Sequence, residues 1–257
     1  MGIKKLLAAG VAAAAMSTVA NAGVINVGGV VWDPDSFFDF TSNSNLIEDQ
    51  LDVANGVVEL QGFGQITSFN GTGPATFCPG CELTYTFGGF TFDSAIGGVD
   101  IFGNAVTYVG FTGGWVNFWV DSTTAYDPNN MATAGDGALF LDVAAHDQFS
   151  TIFGKNLSLV AALSSFGAGS DTGSGNALLD VVGGMAAGNF DTNTRADGAD
   201  FVFTSSFQLI ENGATPDGFE LFGSADLKGA SIPEPSSVAL LGLGLLGLGL
   251  GAKRKKA

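Results

Sequence analysis

Residues 199–210, ADFVFTSSFQLI, alternate apolar and polar side chains with a period of two. Phe201, Phe203, Phe207 and Leu209 fall on one face, and Asp200, Val202, Thr204 and Ser206 on the other. That is the pattern of a half-buried strand and not of a helix, whose period is 3.6. The same alternation recurs in CELTYTF, where Leu83, Tyr85 and Phe87 oppose Glu82, Thr84 and Thr86. In ALFLDV it sets Leu139, Leu141 and Val143 on one face, blurred by Ala138 and Phe140. GVVELQGFGQITSF, NAVTYVGF and GWVNFWVDS are further strand candidates, each bounded by Gly, Asn, Asp or Ser. NLSLVAALSSF and NALLDVVGGMA fit a short helix or a strand equally well. Gly88-Gly89 separates two Phe/Thr-rich runs, which predicts a bulge or a tight turn there. No fixed-period repeat is present, which disfavours a solenoid or a propeller. The spacing therefore predicts a mostly β chain, a sandwich of jelly-roll type over residues 23–222, followed by a linker over residues 223–231.

Composition narrows what such a body does. Of nine Lys and Arg, six lie near the chain's ends. From Gly23 to Ala230 only Lys155, Arg195 and Lys228 stand against 24 acidic residues, a net charge of −21. Binding nucleic acid requires cations that displace phosphate counterions, so a body this acidic repels it.

The two ends read differently. Residues 1–22 have the three parts of a secretory signal peptide: basic MGIKK, the eleven-residue apolar run Leu6 to Met16, and Ala20-Asn21-Ala22 before Gly23. A run that short does not span a bilayer, which takes roughly 20 residues. The expectation is delivery by the Sec translocon, cleavage by signal peptidase between Ala22 and Gly23, and a mature chain in an oxidising compartment. At the other end, residues 236–252 are 17 uncharged, mostly apolar residues. As a helix they reach about 25 Å, the short end of a membrane span. Lys253, Arg254, Lys255 and Lys256 would stop transfer and remain cytoplasmic. GLGLLG within this run (Gly242, Gly244, Gly247) has dinucleotide-turn spacing. That motif needs a following helix and an acidic residue about 20 positions on, and the sequence ends first.

Pro233-Glu234-Pro235 lies immediately before the apolar run, its two prolines holding the backbone extended. Pro-Glu-Pro, a Gly/Leu-rich helix and a basic tail resemble the PEP-CTERM sorting signal of Gram-negative bacteria, here over residues 232–257 with the helix at 236–252 and the tail at 253–257. The resemblance implies processing by exosortase near Pro233 to Pro235, a transient inner-membrane anchor, and a destination at the cell surface or outside it. It also implies a host that makes exopolysaccharide and biofilm. FCPGCELTYTFGGF is similar to a stretch of flocculation-associated members of this group.

The candidates for chemistry are few. Cys78 and Cys81 are the only cysteines. A redox C-x-x-C wants a helix after it and a zinc site wants two more ligands, so a structural disulfide is expected. Asp171-Thr172-Gly173-Ser174 spells an aspartic-protease tetrad, but no apolar strand precedes it, and a Gly/Ser turn is the plainer reading. His146, the sole histidine, has Asp142 and Asp147 beside it in sequence and no nucleophile motif. Asp33, Asp35 and Asp39 form one acidic segment. Asp191, Asn193, Asp197 and Asp200 form another, which starts like a calcium loop but has Arg195 at the third ligand position. Calcium there is set against ordinary turn chemistry, and no other cofactor is expected. Trp115 and Trp119, four apart, share a strand face, either as core or, with Trp32, as platforms for sugar rings. Three function classes follow: a non-enzymatic surface or matrix protein that binds exopolysaccharide or itself, a carbohydrate-binding module or adhesin, and a secreted glycoside hydrolase with paired carboxylates.

Overall fold

The computed structural model describes residues 23–34, 38–165, 172–211 and 213–232. The expected signal peptide (1–22), the sorting tail from 233 onward, Asp35 and Asp171 lie outside them. The described chain is mostly strand. A hairpin of β1 (Ile25–Val27) and β2 (Val30–Trp32) comes first. Then follow β3 (Phe38–Glu48), β4 (Glu59–Gln65), β5 (Ser68–Phe69), the one-turn helix α1 (Pro74–Phe77), β6 (Glu82–Val99), β7 (Ala105–Thr112) and β8 (Trp115–Asp121). The second half holds β9 (Ala138–His146), a small hairpin of β10 (Gln148–Ser150) and β11 (Lys155–Leu157), β12 (Leu159–Ser165) and β13 (Thr172–Gly183). The helix α2 (Ala187–Phe190), β14 (Phe201–Leu209) and β15 (Leu221–Gly229) complete it.

Eleven of these strands share one antiparallel sheet. Three pairs are collinear: β4 and β5 along β3, β7 and β8 along β6, and β9 and β12 along β13. Counted so, the eleven strands make eight staves. Each pairs with the next in chain order, and the last, β15, pairs with the first, β3. The result is a closed up-and-down barrel, which leaves the wall without a free edge. The mostly β expectation holds, but the strand order is a meander and not the crossed order of a jelly roll. Period-two patterning is the same in both, and only the pairing partners distinguish them.

The inward face follows the alternation read from sequence. Phe201, Phe203 and Phe207 of β14 pack with the core, as do Leu83, Tyr85 and Phe87 of β6. At Gly88-Gly89 a bulge adds one residue to β6, since Phe87 opposes Gly62 while Phe90 opposes Leu60. Gly89 sits at φ +73°, in the left-handed region. The bulge reverses the parity, so Phe90 and Phe92 face inward after it. In β9 a register shift against β8 buries both Phe140 and Leu141, which is why the pattern there looked blurred. NLSLVAALSSF and NALLDVVGGMA are both strands, β12 and β13. Strand β15, residues 221–229, is in full register with β14 and takes up residues 223–229 of the linker expected over 223–231. Its inward residues include Gly223 and Ala225, too small to announce a strand, and the barrel closes through them.

The barrel is filled unevenly. At one end Trp32 from β2 and Phe190 from α2 stack at 5.1 Å between ring centroids, and Phe40 stacks on Phe69 at 4.5 Å. Phe140 meets Trp32 edge-on, so this end is plugged with aromatic rings. Each such ring contributes about 1.5–3 kcal/mol by leaving water. The Trp32 indole N–H donates to Ser231 Oγ at 2.9 Å, and the Ile232 amide donates to the Asn189 carbonyl. Thus the first and last described segments lie together at the plugged end. A second cluster, Ile47, Phe63, Ala134 and Phe219, packs outside the wall.

Candidate functional site

The other half of the barrel is lined by apolar side chains around a small cavity. Along β3 the inward residues are Phe40, Ser42, Leu46 and Glu48, so the strand's parity carries a glutamate into the interior. Glu48 is 3% exposed, and its Oε1 has no hydrogen-bond partner. It lines a cavity of about 40 Å³ walled by phenylalanines of β6, β7 and β14 and leucines of β12 and β15. A single water needs roughly 10–15 Å³ on the same measure. Burial, with the charge of Asp49 a lesser cause, raises the Glu48 carboxyl to about 8. Asp49, also in the lining, is raised by burial against a hydrogen bond from Gln61 Nε2 at 2.7 Å. Ser205 of β14 is the remaining polar side chain of the wall. Sequence reading passed over Glu48; counting parity along β3 from Phe40 would have placed it inside.

The residues singled out from sequence are scattered. Cys78 and Cys81 do form a disulfide, just after α1 at the plugged end. Thr172-Gly173-Ser174 is part of strand β13, with Gly173 and Ser174 paired on both edges, and so is not the expected Gly/Ser turn. His146 Nδ1 lies 2.8 Å from Asp180 Oδ2, on the neighbouring β13, while Asp142 lies across from Asn117. The segment 191–200 turns its carboxylates to separate duties. Asp200 is 2% exposed and accepts from the amides of Val181, Thr192 and Asn193. Asp197 pairs with Arg195, and Asp191 accepts from Asn193 Nδ2. Among the described residues no group of three or more His, Cys, Asp or Glu converges as a metal site. The Asp33 carbonyl accepts from Asn70 Nδ2.

The tryptophans separate into two kinds. Trp32 is part of the plug. Trp115 and Trp119 do share a face, and it is the outer one, not the core. Trp115 is 38% exposed over the backbone of Gly88 and Gly89, and Trp119 is half-buried with its N–H on Thr86 Oγ1. A platform for a sugar ring therefore reduces to Trp115.

At the end opposite the plug the β6–β7 hairpin runs past the wall. β4 accompanies β6 only as far as Thr91, while the pairing with β7 continues to Val99 and Ala105. Its tip carries Ile101, 93% exposed, and Phe102, 83% exposed. Asp100 holds the turn, accepting from Asn104 Nδ2 and from the amides of Asn104 and Phe102 at 2.8 Å; these bonds, the Asn104 side chain's first, hold its carboxyl below the usual carboxylate range.

The fold is an acidic, disulfide-bonded β-barrel, plugged with aromatic rings at one end and holding a small cavity toward the other, whose last described residues lie at the plugged end. Comparison with protein families then identifies the C-terminal segment: residues 231–255 match the PEP-CTERM protein-sorting motif. The motif marks the chain as exported, processed at a membrane, and directed to exosortase. No curated protein and no solved structure matches the chain. Among the described residues no helix is long and apolar enough to cross a membrane.

Proposed function

We propose that the barrel is a non-enzymatic cell-surface or matrix component of a Gram-negative bacterium, acting in biofilm or cell aggregation through contact with copies of itself or with exopolysaccharide. The observation that carries this reading is the projecting β6–β7 hairpin. Ala95, Ile96, Gly97, Gly98 and Val99 form an uncharged strand segment with β7 on one edge and, among the described residues, no strand on the other. An unpaired, uncharged edge next to an apolar tip is a template for adding another strand. It points away from the end where the sorting tail departs, so it faces outward while the tail is anchored. Trp115 supports the carbohydrate-binding alternative on the same outer wall. Loss of autoaggregation and biofilm mass in a deletion strain is the expected result. Restoration by the wild-type chain and not by Ile101→Asp with Phe102→Asp completes the test. Normal aggregation by the doubly substituted chain would remove the hairpin from the account.

A further inference from the structure

We propose that two copies of this chain pair edge to edge through residues 95–99 of β6, forming one continuous sheet about a two-fold axis at Gly97. This rests on the reading above that the β6–β7 hairpin is the contact surface, and it names the partner as a second copy of the chain. The pairing with β7 decides which backbone groups face the open edge. The Asp100 amide donates to the Asn104 carbonyl at 2.9 Å, and Val99 sits opposite Ala105. Bonded and non-bonded pairs alternate along an antiparallel ladder, so Ile96 and Gly98 turn their amides and carbonyls to β7. Those of Ala95, Gly97 and Val99 turn to the open edge. The Tyr108 ring lies against Gly98, and its hydroxyl reaches the Val99 carbonyl at 3.2 Å, which leaves that oxygen a second lone pair.

One antiparallel register engages all three outward-facing residues of both copies. It sets Gly97 opposite its own counterpart, and Ala95 opposite Val99 of the second copy. Ile96 then lies beside the second copy's Gly98, so a branched side chain meets a position that has none. Asp100 comes opposite Ser94, and Asp93, already paired with Lys155, comes opposite Ile101, so no two carboxylates face each other. Residues 94–112 carry no charge but Asp100, in a body whose acidity works against contact elsewhere. The open edge also has the length this pairing needs. It ends at Phe92, whose amide donates to the Val58 carbonyl at 2.7 Å, so Val58 fills the place opposite Phe92. In this register that place is level with the second copy's Phe102, just past its turn at Asp100. The exposed Ile101 and Phe102 of each copy therefore arrive at the exposed Val57 and Val58 of the other. Each hairpin gives its tip and receives the other's, the arrangement of an isologous contact. Edges that must stay single carry Lys, Pro or a bulge, and Ala95 to Val99 carry none of these.

The test uses the mature exported protein in sedimentation velocity and in oxidative cross-linking. At about 100 μM it should sediment chiefly as a dimer and dissociate on dilution, as a small interface does. Gly97→Cys should cross-link to its counterpart under mild oxidation, because Cα atoms paired in this way lie about 5.5 Å apart. A Cβ at position 97 meets open space, so that variant keeps the fold. Ala95→Cys alone should cross-link about tenfold less or weaker still, its counterpart lying about 13 Å away along the strand. Gly97→Pro removes an amide that faces the open edge and none that faces β7, so it should abolish the dimer while the barrel still melts cooperatively. Val57→Asp with Val58→Asp should weaken the dimer about tenfold or more. A protein that stays monomeric at this concentration overturns the proposal, as does a Gly97→Pro dimer or equal cross-linking at positions 95 and 97. If Gly97→Pro does not fold, the cross-linking comparison decides. The pairing and the surface role fail separately. Monomers that still need Ile101 and Phe102 to aggregate cells would overturn the pairing and leave the surface role standing. A dimer that Gly97→Pro breaks in cells that aggregate normally would overturn the surface role and leave the pairing standing.

Discussion

Glu48 and Asp200 are both buried carboxylates, and the barrel treats them in opposite ways. Glu48 lacks a partner for one oxygen, and burial lifts its carboxyl from an ordinary 4.5 to about 8. Between those values the folded protein holds a proton that the unfolded chain has lost. Its contribution to stability is therefore complete below pH 4.5 and disappears as pH rises through 8. Glu82, also raised chiefly by burial, acts in the same direction, so the comparison needs a variant. Melting temperatures of wild type and Glu48→Gln, measured from pH 5 to 8.5, should diverge as pH rises. The variant should be the more stable at the top of the range, by on the order of a few kcal/mol. Parallel curves would show that Glu48 is ionised or solvated in the fold. Asp200, by contrast, accepts three backbone amides and ties the 191–200 segment to β13. Asp200→Ala strands those donors and should cost about 3 kcal/mol in urea unfolding. A cost under about 1 kcal/mol would mean that the loop reorganises without it.

At the scale of the element, β6 and β7–β8 form one long hairpin bent at facing glycine pairs, Gly88-Gly89 and Gly113-Gly114. The bend lets the two staves follow the barrel wall before the β6–β7 tip projects beyond it. Gly114 sits at φ +113°, and a Cβ there would lie 2.3 Å from the ring of Phe90. Gly103 in the tip has φ +87° but open space around its Cβ position. Alanine at 103 should cost only the backbone strain, about 1 kcal/mol, whereas alanine at 114 adds a clash in the core and should cost about 3 kcal/mol or more. Thermal melts of the two variants check this; equal losses would mean that the core beside Gly114 yields. The same hairpin shows how far the sequence was legible. Alternation identified its strands, and the glycine pair between two Phe/Thr-rich runs signalled a bulge or a tight turn, of which the structure has the bulge. β15 escaped because two of its inward positions, Gly223 and Ala225, carry almost no side chain. Glu48 escaped because a charged residue suggests solvent until its strand is given a parity. The ring closure was invisible, because it is a pairing between the first stave and the last, and local pattern carries no record of partners so distant. The sorting motif was legible because it is one contiguous run of residues that needs no distant partner to be recognised.

For the whole molecule, closure of the ring determines where the folded unit ends. If residues 223–231 were a linker, a chain stopping at 222 would keep the entire passenger. In the barrel, β15 is the stave between β14 and β3, and it contributes Leu221, Ala225 and Leu227 to the interior. Its loss would expose the inner face of Phe203 and Phe207 and leave β3 and β14 as open edges, which invites association with other chains. A chain of residues 23–232 retains β15 and both ties at the plugged end, Trp32 to Ser231 and Ile232 to Asn189. It should melt cooperatively and match the protein recovered after exosortase processing. A chain of residues 23–222 should show no cooperative melt, bind a hydrophobic dye, and aggregate at micromolar concentration. Side-by-side calorimetry decides it. Cooperative melting of the shorter chain at a similar temperature would mean that the ring is dispensable and the sheet stable when open. The cut made after sorting bears on the same geometry. Mass spectrometry of the extracellular form should find Ile232 or a residue within the 233–235 motif at the C-terminus and no peptide from 253–257. A cut there would leave the plug and its two hydrogen bonds in place, so the processed chain should keep the melting temperature of the uncut barrel.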